Sequence, residues 1–395
     1  MEYYAKSKKV QFTSERINEI KKNMKNIEEC LKENLTETDI EILNSSITDI
    51  AEKTEEKQKT LKEHHKDIVT CAEMFFLEYG EYFTEKEKKL VVEACRIHDL
   101  GKVNLVFQAM ICPKLAEKFY IDVRKTQQIP HGFLSAVTIS LDEFDDLSEL
   151  FSDKDFGPFI TAVYYHHDRE DHYNSPAIRK YAEKYYMKQI EEYLNRKIRK
   201  LNCSNLDDLL FRNNVYTGKY IPDSNAWKEY LLIKGLLNKF DYTVSAGYEN
   251  AESAIDLHEK KLVKNIEKFL NGKELRPAQK FMKMNRDKNL IVIAPTGSGK
   301  TEASLLWMNG EKSFYTLPLK VSSNAIYLRI KENYEYKDVA LLHSDAMAVY
   351  LREYNGNEDI GEKYERSKML SQPLTVCTVD QLFRFVYRAL GTEIF

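Results

Sequence analysis

Val91-Val92-Glu93-Ala94-Cys95-Arg96-Ile97-His98-Asp99-Leu100-Gly101-Lys102 is the stretch from which the fold is read. It closes a helix, Gly101 permitting the stop, and adjacent helical side chains point about 100° apart, so His98 and Asp99 can each face a different ion. A carboxylate can bridge two cations and a single imidazole nitrogen cannot, which makes Asp99 the expected bridging ligand. Lys102, just beyond, is expected to contact a substrate phosphate. One buried His beside an Asp is more often a satisfied core pair, so the metal reading rests on the company these residues keep.

That company is extensive. Leu61, Ile68, Ala72 and Phe75 define an inward helical stripe with His64 and His65 on its margin, and spacing alone leaves open which is the ligand. His131 stands in Ile129-Pro130-His131-Gly132-Phe133-Leu134-Ser135-Ala136, where Pro and Gly mark a helix start and small residues allow helices to pack closely. His166-His167 ends an apolar run at the edge of a core, whereas His172 follows among charged residues and is read as surface. Asp241 lies on a helix with Leu231, Ile233 and Leu236, where a buried carboxylate needs a partner and a cation serves. Imidazole with carboxylate, and no thiolate, suits two divalent transition ions (Mn, Fe, Co or Ni) better than a structural zinc site.

The bulk properties narrow the class. With 395 residues, 43% hydrophobic and 31% charged, the chain is long enough for two globular domains. No apolar run approaches membrane-spanning length and the start lacks a secretion signal, so a cytoplasmic location with no membrane partner is expected. The 6 cysteines include no CxxC pair, which argues for reduced thiols. A net charge of -3 argues against a broad nucleic-acid grip and for a local path or recruitment by a partner.

Residues 1–60 have helical spacing (Ile17, Ile20, Met24, Ile27, Leu31), with Thr36 and Asp39 resembling a capping box, and are read as a helical extension. Residues 61–255 form an all-α domain, with 202–225 as a long surface connection, and 256–273 a linker helix ending at Gly272. From 274 to 395 short apolar runs at 289–294, 313–316, 339–343 and 374–378 alternate with helical stretches, the pattern of a parallel sheet in a RecA-like α/β domain. Ala294-Pro295-Thr296-Gly297-Ser298-Gly299-Lys300-Thr301 follows the first run and precedes a helix, as a phosphate-binding loop requires. Backbone amides there are expected to hold ATP phosphates, with Lys300 reaching the terminal ones and Thr301 ligating Mg.

The metal set is similar in order and residue type to HD-superfamily phosphohydrolases, and the loop, with Ala294 in place of the first Gly, resembles superfamily 2 helicases. Leu275-Arg276-Pro277-Ala278-Gln279 resembles their Q motif, in which the Gln reads adenine. Thr316-Leu317-Pro318-Leu319-Lys320 with Ser323-Asn324, Leu342-His343-Ser344 and Thr378-Val379-Asp380-Gln381 resemble their strand-binding segments, which implies backbone contacts from Lys320, Ser323, Asn324 and Gln381. Together the halves resemble the CRISPR-associated helicase-nuclease family of type I systems. The resemblance favours His64 over His65, and implies a prokaryotic metal-dependent single-stranded DNA nuclease recruited by an RNA-guided surveillance complex (Cascade). No Asp-Glu-x-His segment precedes Phe395, so helicase activity is not expected of this chain. A nucleotide phosphohydrolase with an ATP-binding regulatory module and a non-catalytic docking fragment are the competing expectations.

Overall fold

The computed structural model describes residues 2–5, 59–139, 156–167, 175–198, 201, 225–253, 260–353 and 360–382. Of the expected helical extension 1–60 only residues 2–5 and 59–60 are among them, joined by an antiparallel Tyr4–Thr60 bridge; the Thr36 capping box, the connection at 202–224 and His172 lie outside them. The described residues form two compact units, 2–5 with 59–251, and 252–382.

Among the described residues the first unit is helical apart from the Tyr4–Thr60 bridge. Helix α1 (Leu61–Tyr79) starts at a capping box in which the Glu63 amide donates to Thr60 Oγ1 at 3.2 Å and the Thr60 amide donates to the Glu63 carboxylate at 2.9 Å. Its buried face, Leu61, His64, Ile68, Cys71 and Ala72, carries His64 inward on the same stripe as the aliphatic residues. Helix α2 (Glu85–Ile97) begins at a second capping box, Thr84 with Glu87, and delivers His98 at its C-cap. A 3-10 turn, Leu100–Val103, follows, then α3 (Leu105–Ile111), α4 (Pro113–Lys118), α5 (His131–Thr138), α6 (Phe156–Tyr164), α7 (Ser175–Tyr185), α8 (Met187–Leu194) and α9 (Asn225–Ala246). Every residue of α6 is buried, so it shows no amphipathic period and fills the centre, its Tyr164 ring stacked on Phe133 at 4.0 Å.

The second unit holds α10 (Lys261–Leu270), α11 (Pro277–Met284), α12 (Lys300–Met308), β1 (Ser313–Leu317), α13 (Lys320–Glu332), β2 (Val339–Leu342), α14 (Ala346–Arg352), α15 (Ile360–Lys368) and β3 (Leu374–Thr378). The sheet is parallel with order β1-β3-β2, Val376 of the central strand pairing Tyr315 on one side and Leu341 on the other. β3 is buried at every position, as a strand covered on both faces should be. The fold is thus a helical domain followed by a RecA-like α/β segment.

Two expectations need correction. Of the expected linker helix at 256–273, the described part forms α10, whose Leu262, Val263 and Ile266 sit in the core of the second unit, so that part belongs to the domain it precedes. The apolar run 289–294 is not a strand: Ile291 and Ile293 are 94% and 96% exposed. A strand exists only through a hydrogen-bonded neighbour, and among the described residues none pairs with it.

Candidate metal centre

Seven side chains from five places in the first unit converge into two donor groups. His64, His98, Asp99 and Asp241 form one and His131, His166 and His167 the other, the donor atoms of each lying within 4.8 Å of one another. The two carboxylates join them. Asp99 Oδ2 lies 3.3 Å from His64 Nε2 and 3.4 Å from His98 Nε2, while its Oδ1 lies 3.2 Å from His131 Nε2 and 3.7 Å from His166 Nε2. Asp241 repeats the arrangement, Oδ1 being 3.0 Å from His64 Nε2 and Oδ2 3.3 Å from His167 Nε2.

His98 faces one group, while Asp99, the expected bridging ligand, turns Oδ2 to that group and Oδ1 to the other. Helix α2 ends at Ile97 and Asp99 has φ -102° and ψ 6°, so helical spacing no longer relates the two side chains. Gly101 likewise serves closeness, not helix termination: its φ is not left-handed, but a Cβ there would strike the His131 carbonyl oxygen. Ser135 Oγ fastens the same contact, accepting from the Gly101 amide at 2.8 Å and donating to His131 O at 2.9 Å. Gly132 permits the next approach, since a Cβ would lie 2.7 Å from Tyr164 O.

Backbone carbonyls aim the rings. His98 Nδ1 lies 3.0 Å from Cys95 O and His166 Nδ1 2.6 Å from Val163 O, so each ring donates there and presents Nε2 with its lone pair. These carbonyls have no sequence signature. Ser245, whose hydroxyl donates to Asp241 Oδ1 at 3.2 Å, could have been found four residues along the same helix. His65 stays outside both groups, its Nδ1 3.0 Å from Tyr193 Oη. Lys102 is buried and donates to Asp99 Oδ2 at 2.6 Å.

Burial pulls the His131 pKa to about 4 and that of His166 well below its ordinary value, which keeps both rings uncharged, with their Nε2 atoms 3.1 Å apart. For His64, burial also acts downward, but the Asp241 and Asp99 carboxylates outweigh it and the pKa is raised. Burial would raise Asp99 and Asp241, yet His98 and Lys102 beside the first, and His167 and His64 beside the second, hold both well below the usual carboxylate range. His64 Nε2, His98 Nε2 and Asp99 Oδ1 are buried without a hydrogen-bond partner. Buried polar atoms are rarely left so. Imidazole nitrogens converging on two buried carboxylates, with several of these atoms unpartnered, are a donor set that fits divalent cations.

In the second unit the phosphate loop turns at Gly297 (φ 77°) and Gly299 (φ 85°) into α12, which starts at Lys300. Lys300 Nζ donates to Ala294 O and Pro295 O at 2.8 and 2.9 Å. Gln279 is buried, its carbonyl accepting from the Arg276 amide at 3.0 Å and its amide donating to Gly299 O at 3.3 Å, so it lies against the loop. The Ser298 hydroxyl is buried and unpartnered; Thr296 and Thr301 flank the turn. Of the expected strand contacts, Ser323 and Asn324 are 0% and 5% exposed, their polar atoms bonded to Leu319 O and to His343 Nε2, which turns them inward. Lys320 pairs with Asp345, and Gln381 donates to Asp380 at 2.7 Å.

A model described as "Cas3, HD domain" matches residues 51–226, and one described as "DEAD/DEAH box helicase" matches 277–391. A "CRISPR-associated nuclease/helicase Cas3" of Methanothermobacter thermautotrophicus is 24% identical over 407 aligned positions, covering 87% of this chain and 48% of that protein. A "Putative CRISPR-associated nuclease/helicase Cas3" of Methanocaldococcus jannaschii is 30% identical over 123 positions, covering 28% of this chain and 17% of its own length. The chain therefore spans about half the length, or less, of these relatives. Among the described residues no helix is long and apolar enough to cross a membrane.

Proposed function

The chain belongs to the CRISPR-associated Cas3 nuclease/helicase family, and from that premise we propose that its helical unit is a divalent-metal-dependent nuclease for single-stranded DNA. The observation that supports this most directly is the pair of carboxylates, Asp99 and Asp241, each offering one oxygen to either histidine group. His64 and His98 would hold one ion and His131, His166 and His167 the other. Bound there, two such ions lower the pKa of water, orient a phosphodiester and offset charge on its leaving oxygen. The chain's own contribution is orientation. The Cys95 and Val163 carbonyls fix which imidazole nitrogen faces the centre, and the Lys102 ammonium, now on Asp99, is the cation within reach of a substrate phosphate.

The phosphate loop binds ATP with Mg, through Thr296–Thr301 and Gln279, and Lys320 and Gln381 contact the strand. In the prokaryotic cytoplasm the substrate strand is supplied by an RNA-guided surveillance complex of a type I CRISPR system. Asp99→Ala abolishes Mn-dependent cleavage of circular single-stranded DNA while circular dichroism stays native. Cleavage that survives this substitution overturns the assignment, and hydrolysis of nucleotides without cleavage of DNA returns the phosphohydrolase alternative.

A further inference from the structure

Residues Tyr3 to Ala5 run antiparallel to the entry of the helix that carries His64 and His65: the Leu61 amide donates to Tyr3 O at 2.8 Å, the Ala5 amide to Lys59 O at 3.0 Å, and Tyr4 bridges Thr60. Tyr3 and Ala5 are buried. Two arms lead from this short segment to the metal centre. On one side the Tyr3 ring meets Tyr193 edge-on at 5.8 Å, the Tyr193 hydroxyl lies 3.0 Å from His65 Nδ1, and the His65 ring lies 6.0 Å from His98 and 6.4 Å from His64. On the other, buried Gln108 accepts from the Tyr4 amide at 3.0 Å and donates to Tyr4 O at 2.9 Å and to Lys102 O at 2.8 Å. Lys102 in turn holds Asp99.

We propose that Tyr3–Ala5 brace the metal centre, with Tyr193 and His65 positioning the ring of His98, and Gln108 positioning Lys102 and through it Asp99. The proposal rests on the metal reading given above. A saturated buried amide has no freedom to rotate: the Gln108 oxygen and both of its N–H groups are committed to the segment and to Lys102. The hydroxyl of Tyr193 fixes the orientation of the His65 ring in the same way, which sets an imidazole beside a ligand imidazole, ring centroids 6.0 Å apart. None of these residues touches a reacting atom. They act through His98 and Asp99, as outer partners of metal ligands do.

Mn binding to the whole chain, followed by calorimetry, is the test. Tyr193→Phe keeps the ring and removes only the hydroxyl, and Gln108→Leu keeps the volume and removes the amide; each lowers Mn affinity by roughly 10- to 100-fold, the range for lost outer partners of metal ligands. Thr84→Ala, which weakens an exposed helix cap, lowers the thermal midpoint and leaves Mn affinity native, separating positioning from general loosening. His65→Gln retains more affinity than His65→Leu because it restores a polar atom. Native Mn affinity in both Tyr193→Phe and Gln108→Leu overturns the brace. A native chain that binds no Mn overturns the metal centre and the brace together. A chain that binds Mn yet cleaves no DNA overturns only the nuclease reading, since the binding comparison stands without it.

Discussion

Gly101 shows how narrowly single positions are set. A side chain there would displace the backbone of His131, itself a donor, so Gly101→Ala is expected to cost on the order of 3 kcal/mol, the upper end of overpacking, and to weaken Mn binding. Thermal unfolding and Mn calorimetry check both. His343 offers a pH handle in the other unit. Burial depresses its pKa to about 4, with its Nε2 2.6 Å from Asn324 Oδ1. A histidine whose folded pKa lies below the unfolded value, about 6.5, stabilises the fold fully above that value and loses this as pH falls toward 4. Its share lost by pH 5 is about 2 kcal/mol, and His343→Gln should flatten that part of the acid limb in chemical denaturation. Residue identities at the centre were legible in the sequence; the choice between His64 and His65 was not, because both lie on the margin of one stripe and only the Tyr193 hydroxyl claims His65.

The starts of α1 and α2 carry a local signal that the sequence reading passed over, since Thr60 with Glu63 and Thr84 with Glu87 form capping boxes from strictly local spacing. The short α3 depends on more. Asn104 caps it by accepting from the Phe107 amide at 2.9 Å, donates to Gly101 O at 2.6 Å and accepts from Tyr181 Oη at 2.9 Å. Asn104→Ala removes all three bonds and takes from the buried Tyr181 hydroxyl the acceptor of its proton, an expected loss of about 2 kcal/mol, readable as a lower denaturation midpoint. The run 289–294 teaches the reverse lesson. Its composition is that of a strand, but β structure is a property of pairs, and local composition cannot supply the partner.

Across the molecule, every donor of the metal centre belongs to the first unit and the phosphate loop to the second. Lys300→Ala should therefore leave Mn-dependent cleavage by this chain at its native rate, and omission of ATP should do the same, whereas chelation of the metal should stop it; a coupled loss in the Lys300 variant would show that the units communicate. The sequence by itself determined the two-part plan, the residue types of the donor set and the phosphate loop, because capping, helical period and glycine-rich turns act over a few neighbouring residues. Only the tertiary structure decided that Asp241 spans both histidine groups alongside Asp99, that His65 stays outside them, and that Ser323 and Asn324 turn inward. Those facts depend on distances between residues far apart in the chain, which close packing fixes and local chemistry does not.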